Sequence, residues 1–293
     1  MGSGSWSRDS FVSYTTNSKA GATVDSLGMV CGVSSTQDIY KQYTINKMLV
    51  PYKVMRECLD SDEHPETKPV LLALDVTGSM GDAATEASKQ LNIIMEDLYK
   101  TLKDVEFCVM GIGDLVCDRY PIQISQFESD IRIADQMEKI YFEFGGGGNM
   151  YESYTAAWYM GARHTKLDCW KRGQKGILIT IGDEYLNPYL PMEKLNTDTG
   201  DTVQEDVNTK DLHSDVSEKY DVYHIHVNHL KDYSPRYSYT NVKPTFARVI
   251  GDQNIMCCED VKDLPKMITD LIISHYSGSG NNGVKVTDKG ISW

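Results

Sequence analysis

Short apolar runs recur along the middle and C-terminal parts of the chain. Continuous runs, each typical of a strand buried on both faces, occupy residues 70–74, 105–112, 177–181, 222–227 and 255–258. Residues 121–127 instead alternate between apolar and polar positions, which predicts a short edge strand. The pattern therefore predicts a sheet built mainly from buried strands.

Apolar residues at helical spacing separate these predicted strands. One stripe, which predicts a long amphipathic helix over 87–102, comprises Ala87, Leu91, Ile94, Leu98 and Leu102. Shorter stripes predict helices over 133–140, 154–161 and 264–271, the last with Asp263 placed to cap it. Strands that alternate with helices predict an α/β fold, here a doubly wound, Rossmann-like and mostly parallel sheet flanked by helices. Such sheets place their sites at the carboxyl ends of the strands.

The N-terminal part of the chain has a weaker pattern. Residues 1–67 predict a partly irregular extension packed on the α/β domain. Within it, residues 1–35 are rich in Ser, Thr and Gly and predict an arm rather than a core element. Residues 38–59 predict partly helical structure that Pro51 interrupts.

The α/β domain itself is predicted to span residues 68–276. Inside it, the polar and acidic stretch 196–211 predicts an inserted loop. Residues 277–293 are rich in Gly and Asn, which predicts a flexible tail.

The chain is acidic, with 42 Asp and Glu against 29 Lys and Arg and a formal net charge of -13. This balance argues against nucleic acid and anionic membranes as partners, because both require clustered basic residues. No run approaches the roughly 18 apolar residues of a membrane span, and residues 1–10 lack the features of a signal peptide. The seven cysteines show neither metal-type spacing nor a disulfide pattern, which favours a reducing, cytoplasmic location.

The most informative string, Asp75-Val76-Thr77-Gly78-Ser79, follows the first buried strand. A carboxylate and two hydroxyls at alternate positions can converge on one small hard cation, and Mg²⁺ prefers such oxygen ligands. A simpler interpretation is that Thr77 or Ser79 caps the following helix. That interpretation leaves the buried Asp75 carboxylate without a partner, which is costly.

At these residues the chain resembles the von Willebrand factor A (VWA) family, whose metal-ion-dependent adhesion site begins with Asp-x-Ser/Thr-x-Ser. The resemblance extends over residues 68–276 and is that of a bacterial or phage-type member. It implies a VWA-type fold, a bound Mg²⁺ (with Mn²⁺ or Ca²⁺ as substitutes) and a protein-binding rather than enzymatic function. It also implies that an Asp or Glu of the partner completes the metal shell, and it suggests an AAA-type ATPase as that partner.

Two later loops depart from the family pattern. The glycine run before Asn149 places Gly148 where the family has a Thr ligand, and Glu152 and Ser153 are the nearest oxygen donors. In the third loop, Ile181 stands where the family has Asp, and the carboxylate is displaced to Asp183. The predicted metal ligands are therefore Asp75, Thr77, Ser79, Asp183, Glu152 and, at the end of the neighbouring strand, Asp114.

Three alternatives remain. The motif around Asp75 is also similar to that of haloacid dehalogenase-type phosphotransferases, in which Asp75 would be the nucleophile and Lys175 would hold the phosphate. A metal-free VWA scaffold would explain Gly148 and Ile181 as losses. Finally, two histidines at alternate positions of one strand, His224 and His226, could contribute to a zinc site, although packing is the favoured interpretation.

Overall fold

The computed structural model describes residues 4–19, 21–33, 35–144 and 149–278, with the backbone of 286–287 and 290–291. The helices are α1 (Arg8–Ser18), α2 (Thr36–Ile39), α3 (Gly81–Lys89), α4 (Leu91–Thr101), α5 (Arg132–Glu138), α6 (Thr155–Arg163), α7 (Met192–Thr199), α8 (Thr209–Val216), α9 (Tyr239–Ile250) and α10 (Leu264–Tyr276). The strands are β1 (Thr23–Val24), β2 (Val30–Cys31), β3 (Arg56–Cys58), β4 (Lys68–Asp75), β5 (Val105–Ile112), β6 (Ile122–Ile124), β7 (Tyr151–Glu152), β8 (Thr165–Leu167), β9 (Gly176–Gly182), β10 (Tyr185–Leu186), β11 (Tyr189–Leu190), β12 (Val207–Asn208), β13 (Tyr220–Val227), β14 (Ile255–Cys258), β15 (Val286–Thr287) and β16 (Gly290–Ile291). The predicted glycine loop at 145–148 and most of the predicted tail lie outside the described residues.

A six-stranded sheet with the order β14-β13-β9-β4-β5-β6 forms the centre of the protein. Neighbouring strands are parallel, except that the short edge strand β6 runs antiparallel to β5. The prediction of a mixed α/β fold with a mostly parallel sheet flanked by helices is confirmed. The middle residues of its central strands are almost entirely apolar because both faces of the sheet are covered, as is usual for buried parallel strands.

Alternate residues of β4 belong to two separate cores, one on each face of the sheet. Val70, Leu72 and Leu74 pack in the core that also contains side chains of α3, α4 and α10. Leu71 and Ala73 pack in the core that contains side chains of α6, α8 and α9. No helix in the described part of the chain is both long and apolar enough to cross a membrane.

The N-terminal extension packs on the domain, but its predicted local structure was partly wrong. Instead of an arm without core elements, it contains α1, whose Phe11 is only 1% exposed and joins the core of α3, α4 and α10. The partly helical prediction for 38–59 holds only to Ile39, where the single turn of α2 ends. The rest is irregular until β3, which pairs with β8. Tertiary packing and local capping decided these segments, since their apolar spacing was too sparse to predict them.

Two further predictions need correction. The single helix predicted over 87–102 is two helices, α3 and α4, because the backbone leaves helical geometry at Gln90 (φ -99°, ψ 7°). The stretch 196–211, predicted as a loop, contains the end of α7, the strand β12 and the start of α8. Asp263 does occupy the cap position of α10, although its side chain makes no capping hydrogen bond.

Candidate metal centre

Asp75 is the last residue of β4, and its side chain is fully buried at the carboxyl end of the sheet. Its Oδ1 accepts hydrogen bonds from the backbone nitrogen of Thr77 (2.9 Å) and from Thr77 Oγ1 (2.6 Å). The Thr77 hydroxyl makes no capping bond to the short 3₁₀ helix Gly78–Met80 that follows. The helix-cap interpretation is therefore wrong for Thr77, whose hydroxyl points to the carboxylate instead.

Tyr154, the residue before α6, completes the contacts of Asp75. Its hydroxyl donates to Asp75 Oδ2 (2.9 Å) and accepts from the backbone nitrogen of Glu184 (3.2 Å). This approach depends on Gly182, because a Cβ there would lie 1.9 Å from the Tyr154 hydroxyl oxygen. Tyr154 was predicted only as part of a helical stripe, and nothing in the sequence marks its role in the site.

Asp183 directly follows β9 and is also fully buried. His229 Nε2 donates to Asp183 Oδ2 (2.9 Å), whereas Oδ1 has no hydrogen-bond partner among the described residues. Ile181, at the position where the family has Asp, is buried in the core on the opposite face from Ala73. The displaced carboxylate, rather than the position of the family pattern, is therefore the one that faces Asp75.

Glu152 brings a third buried carboxylate to the same edge. It lies on β7, which pairs in parallel with β10, the strand that begins directly after Glu184. Glu152 is only 4% exposed, and within the described part of the chain its Oε2 has no hydrogen-bond partner. Glu184 is half-buried. The departure at Gly148 lies outside the described residues, but the structure does bring Glu152 to the site.

The pKa values of these acids reflect negative charge that is not compensated. Burial, followed by the nearby charge of Asp183, raises the pKa of Asp75 to about 7. Burial and then Asp75 raise the pKa of Glu152 to about 12 and that of Glu184 to about 8. Such shifts are expected where several carboxylates share a buried site and too few cations offset them.

Ser79 and Asp114 lie at the border of the site. Ser79 is half-buried within the 3₁₀ helix Gly78–Met80. Asp114 is buried, but its oxygens accept from the side-chain nitrogen of Asn149 (2.6 Å) and the backbone nitrogen of Val116 (3.1 Å). Asp114 therefore fixes the loops around the site, and its charge contributes to the raised pKa values of Glu152 and Glu184.

The side chains available as metal ligands determine which ion this edge of the sheet can bind. Within the described residues, no three His, Cys, Asp or Glu side chains are arranged to hold a metal ion by themselves. A cation here would need hydroxyl ligands as well, which Thr77 and Ser79 can supply. The unpartnered oxygens of Asp183 and Glu152 fit such a cation, since unsatisfied buried oxygens are costly without one.

The two histidines of β13 pack as ring systems. His224 stacks on Phe246 with ring centroids 3.7 Å apart, and its Nδ1 lies 2.9 Å from Thr180 Oγ1. Burial lowers the pKa of His226 to about 4 and places that of His224 well below its ordinary value, so both rings are neutral. This geometry agrees with the packing interpretation of these residues.

Lys175 lies at the opposite end of the sheet from Asp75. It directly precedes β9, whereas Asp183 directly follows it, and seven strand residues extend over roughly 23 Å. Its Nζ lies 3.7 Å from Asp221 Oδ1. Lys175 therefore cannot hold a phosphate on Asp75, and its position argues against the phosphotransferase alternative.

Exposed apolar side chains surround the acidic edge. Val116, Phe144, Met150 and Tyr151 are each at least 39% exposed. Val116 lies in the loop fixed by Asp114, and the Phe144 carbonyl approaches Gly78, where a Cβ would lie 3.1 Å away. The site is therefore an acidic centre with an apolar rim.

Comparisons with known proteins identify a fold and no family. No protein-family model matches the sequence, and no curated protein matches it. Among solved structures, the open form of the pilus adhesin SpaC from Lactobacillus rhamnosus GG matches 73% of this chain and 31% of the adhesin, with a TM-score of 0.51 and 10% identity. Proximal thread matrix protein 1 from the mussel byssus matches 75% of this chain and 47% of its own, with a TM-score of 0.42 and 12% identity. This chain thus spans less than a third of the adhesin, and a likeness at such identity concerns the fold alone.

Proposed function

We propose that residues 68–276 form a doubly wound, VWA-type domain that binds a protein partner through a divalent cation. The observation that carries this proposal is the buried negative charge at the carboxyl ends of β4 and β9. Asp183 and Glu152 both lie close enough to Asp75 for charge to act between them, and two of these acids' oxygens have no hydrogen-bond partner among the residues that the structure describes. A cation would offset this charge and would accept those oxygens as its ligands.

The proposed cation is Mg²⁺, with Mn²⁺ or Ca²⁺ as substitutes. Asp75, Thr77 and Ser79 would hold it from the first loop, and Asp183 and Glu152 from the other two. Asp114 would act through the loops that it fixes. When bound, the cation supplies an electrophilic point of contact for an Asp or Glu side chain of the partner.

The apolar rim supports a protein as the partner. Side chains such as Phe144, Met150 and Tyr151 can bury apolar area around a central polar contact, which is the common arrangement of protein interfaces. The motif resemblance makes an AAA-type ATPase in the cytoplasm the first candidate to test. The proposed function is binding rather than catalysis.

Thermal unfolding tests the cation. A ligand at 100 times its dissociation constant adds roughly 2.7 kcal/mol, or about 5 to 10 °C for a domain of this size. We expect Mg²⁺, Mn²⁺ or Ca²⁺ to raise the melting temperature of the wild type above that in EDTA, and Asp75→Ala to abolish the increase. The matched control is Asp62→Ala, an exposed acid outside the site, which should retain it.

The same samples separate the alternatives. If no cation stabilises the wild type, the metal proposal fails, and a partner captured equally well in EDTA would support a metal-free scaffold. Hydrolysis of a generic phosphate ester that is lost in Asp75→Asn would instead support the phosphotransferase.

A further inference from the structure

Residues 39–56 form a basic surface segment on an acidic chain. The segment contains Lys41, Lys47, Lys53 and Arg56 and no Asp or Glu, whereas the chain as a whole has a net charge of -13. Apart from the end of α2 and the start of β3, its residues belong to no helix or strand. We call residues 39–56 the basic segment.

The backbone of the basic segment is fixed against the edge of the sheet. The carbonyl of the buried Leu49 accepts from the backbone nitrogen of Ile124 on the edge strand β6 (2.9 Å). Arg56 Nη2 donates to the carbonyls of Met48 (2.8 Å) and Ile124 (2.7 Å). The backbone nitrogen of Lys53 donates to the Thr199 carbonyl (2.7 Å). The segment therefore presents its side chains from an ordered position.

Between its lysines, the basic segment carries exposed apolar side chains. Tyr43 is 93% exposed, and Met48, Tyr52 and Met55 are all at least 45% exposed. Lys53 Nζ lies 5.4 Å from the centre of the Tyr52 ring. Because the buried Leu49 and the Arg56 hydrogen bonds anchor the segment, folding does not require these exposed groups. Exposed apolar side chains that occur so close together along the chain are typical of interaction surfaces, where Tyr and Met are enriched.

We propose that the basic segment docks an acidic segment of a protein partner that also carries apolar residues. Charge complementarity selects this occupant: the lysines attract carboxylates, and the tyrosines and methionines between them bury apolar side chains. A nucleic acid or an anionic membrane is a poorer match, because an extended polyanion would also meet the acidic surface beyond the segment. No residue of the basic segment is among the proposed metal ligands, so docking there does not require a cation.

The probe is a short, fluorescently labelled random copolymer of glutamate and tyrosine, no longer than the basic segment so that it does not extend over the acidic surface beyond it. Its binding to the full chain is followed by fluorescence anisotropy. EDTA is present throughout, so that the metal centre does not contribute. The charge variant is Lys41→Glu/Lys47→Glu/Lys53→Glu, and its control makes the same charge change at exposed lysines elsewhere, Lys103→Glu/Lys210→Glu/Lys262→Glu. A second variant, Tyr43→Ser/Tyr52→Ser, removes apolar groups without changing the charge.

We expect the wild type to bind the copolymer and the charge variant to bind it about tenfold more weakly, from three exposed charge pairs of modest strength each. The charge control should bind almost as tightly as the wild type, and the tyrosine variant several-fold more weakly. Absence of binding by the wild type would overturn the proposal, as would equal losses in the charge variant and its control. Tighter binding to phosphatidylserine vesicles or polyuridylate than to the copolymer would also overturn it, in favour of a membrane or a nucleic acid.

Discussion

Replacing Glu152 by Gln should make the protein more stable when no cation is present. Glu152 is buried, and its pKa is raised to about 12, so the folded protein holds it protonated at neutral pH. The unfolded chain releases that proton above the ordinary pKa of 4.5. Holding a proton that water would remove costs folding free energy. Glutamine has nearly the same shape and carries no ionisable group, so it avoids this cost.

The size of the effect follows from the difference between pH 7 and the unfolded pKa. Each pH unit between the unfolded pKa and pH 7 costs about 1.36 kcal/mol, so the penalty at pH 7 is about 3 kcal/mol. This value does not depend on the exact folded pKa, provided that the folded pKa lies well above 7. The sign is fixed by the raised pKa: the penalty is absent below about pH 4.5 and grows as the pH rises towards the folded pKa. For a domain of this size, 3 kcal/mol corresponds to roughly 6 to 12 °C in melting temperature.

Calorimetry in EDTA between pH 5 and 8 measures this difference. We expect the melting temperature of the wild type to fall with rising pH relative to that of Glu152→Gln, with the gap widening at each step. The control is Glu193→Gln at an exposed position of α7, which should follow the wild type. Added Mg²⁺ should narrow the gap, because a cation allows Glu152 to ionise. The reasoning is refuted if Glu152→Gln melts at or below the wild type at pH 7 in EDTA.

Two further substitutions test contacts of the site, and a third tests a residue far from it. Gly182→Ala forces a methyl group against the Tyr154 hydroxyl, so the free energy of unfolding measured in urea should fall by about 1–3 kcal/mol. An unchanged unfolding midpoint would contradict this close packing. Tyr154→Phe removes the donor to Asp75, so the stability in EDTA should fall by about 1–2 kcal/mol while the cation response persists; loss of that response would place the hydroxyl among the ligands. Lys175→Ala should leave the cation response unchanged, because it lies at the other end of β9, and a weakened response would argue against this placement.

Buried strands were the part of the fold that the sequence pattern predicted best. β5 has the predicted limits, 105–112, and the edge strand predicted over 121–127 is found at Ile122–Ile124. Continuous apolar runs of this length have few alternatives in a sheet covered on both faces. The break at Gln90 was missed because the apolar spacing continues across it, and α1 was missed because few of its residues are buried.

Within the site, local motifs predicted the first loop, whereas long-range contacts determined the rest. Asp75 and Thr77 are neighbours in the chain, so their hydrogen bond could be anticipated from spacing. The partner of Asp183, His229, lies 46 residues away, and Tyr154 lies 79 residues from Asp75. Contacts of this kind depend on strand order and on the close approach at Gly182, neither of which the sequence alone specifies.

Within the proposed metal site, the position of Asp183 favours a rearranged third loop over a lost one. Side chains alternate along a strand, so a carboxylate at Ile181 would enter the core beside Ile179 on the face opposite Ala73. Asp183 lies beyond the end of β9, where side chains need not alternate between the two faces of the sheet, so it can lie near Asp75. A scaffold that had lost its cation would gain about 3 kcal/mol at pH 7 by replacing Glu152 with a residue that does not ionise, because the folded protein would no longer have to hold the Glu152 proton. We therefore favour the proposed cation over a decayed site, because the two buried acids Asp183 and Glu152 each keep an oxygen without a hydrogen-bond partner in the described part of the chain.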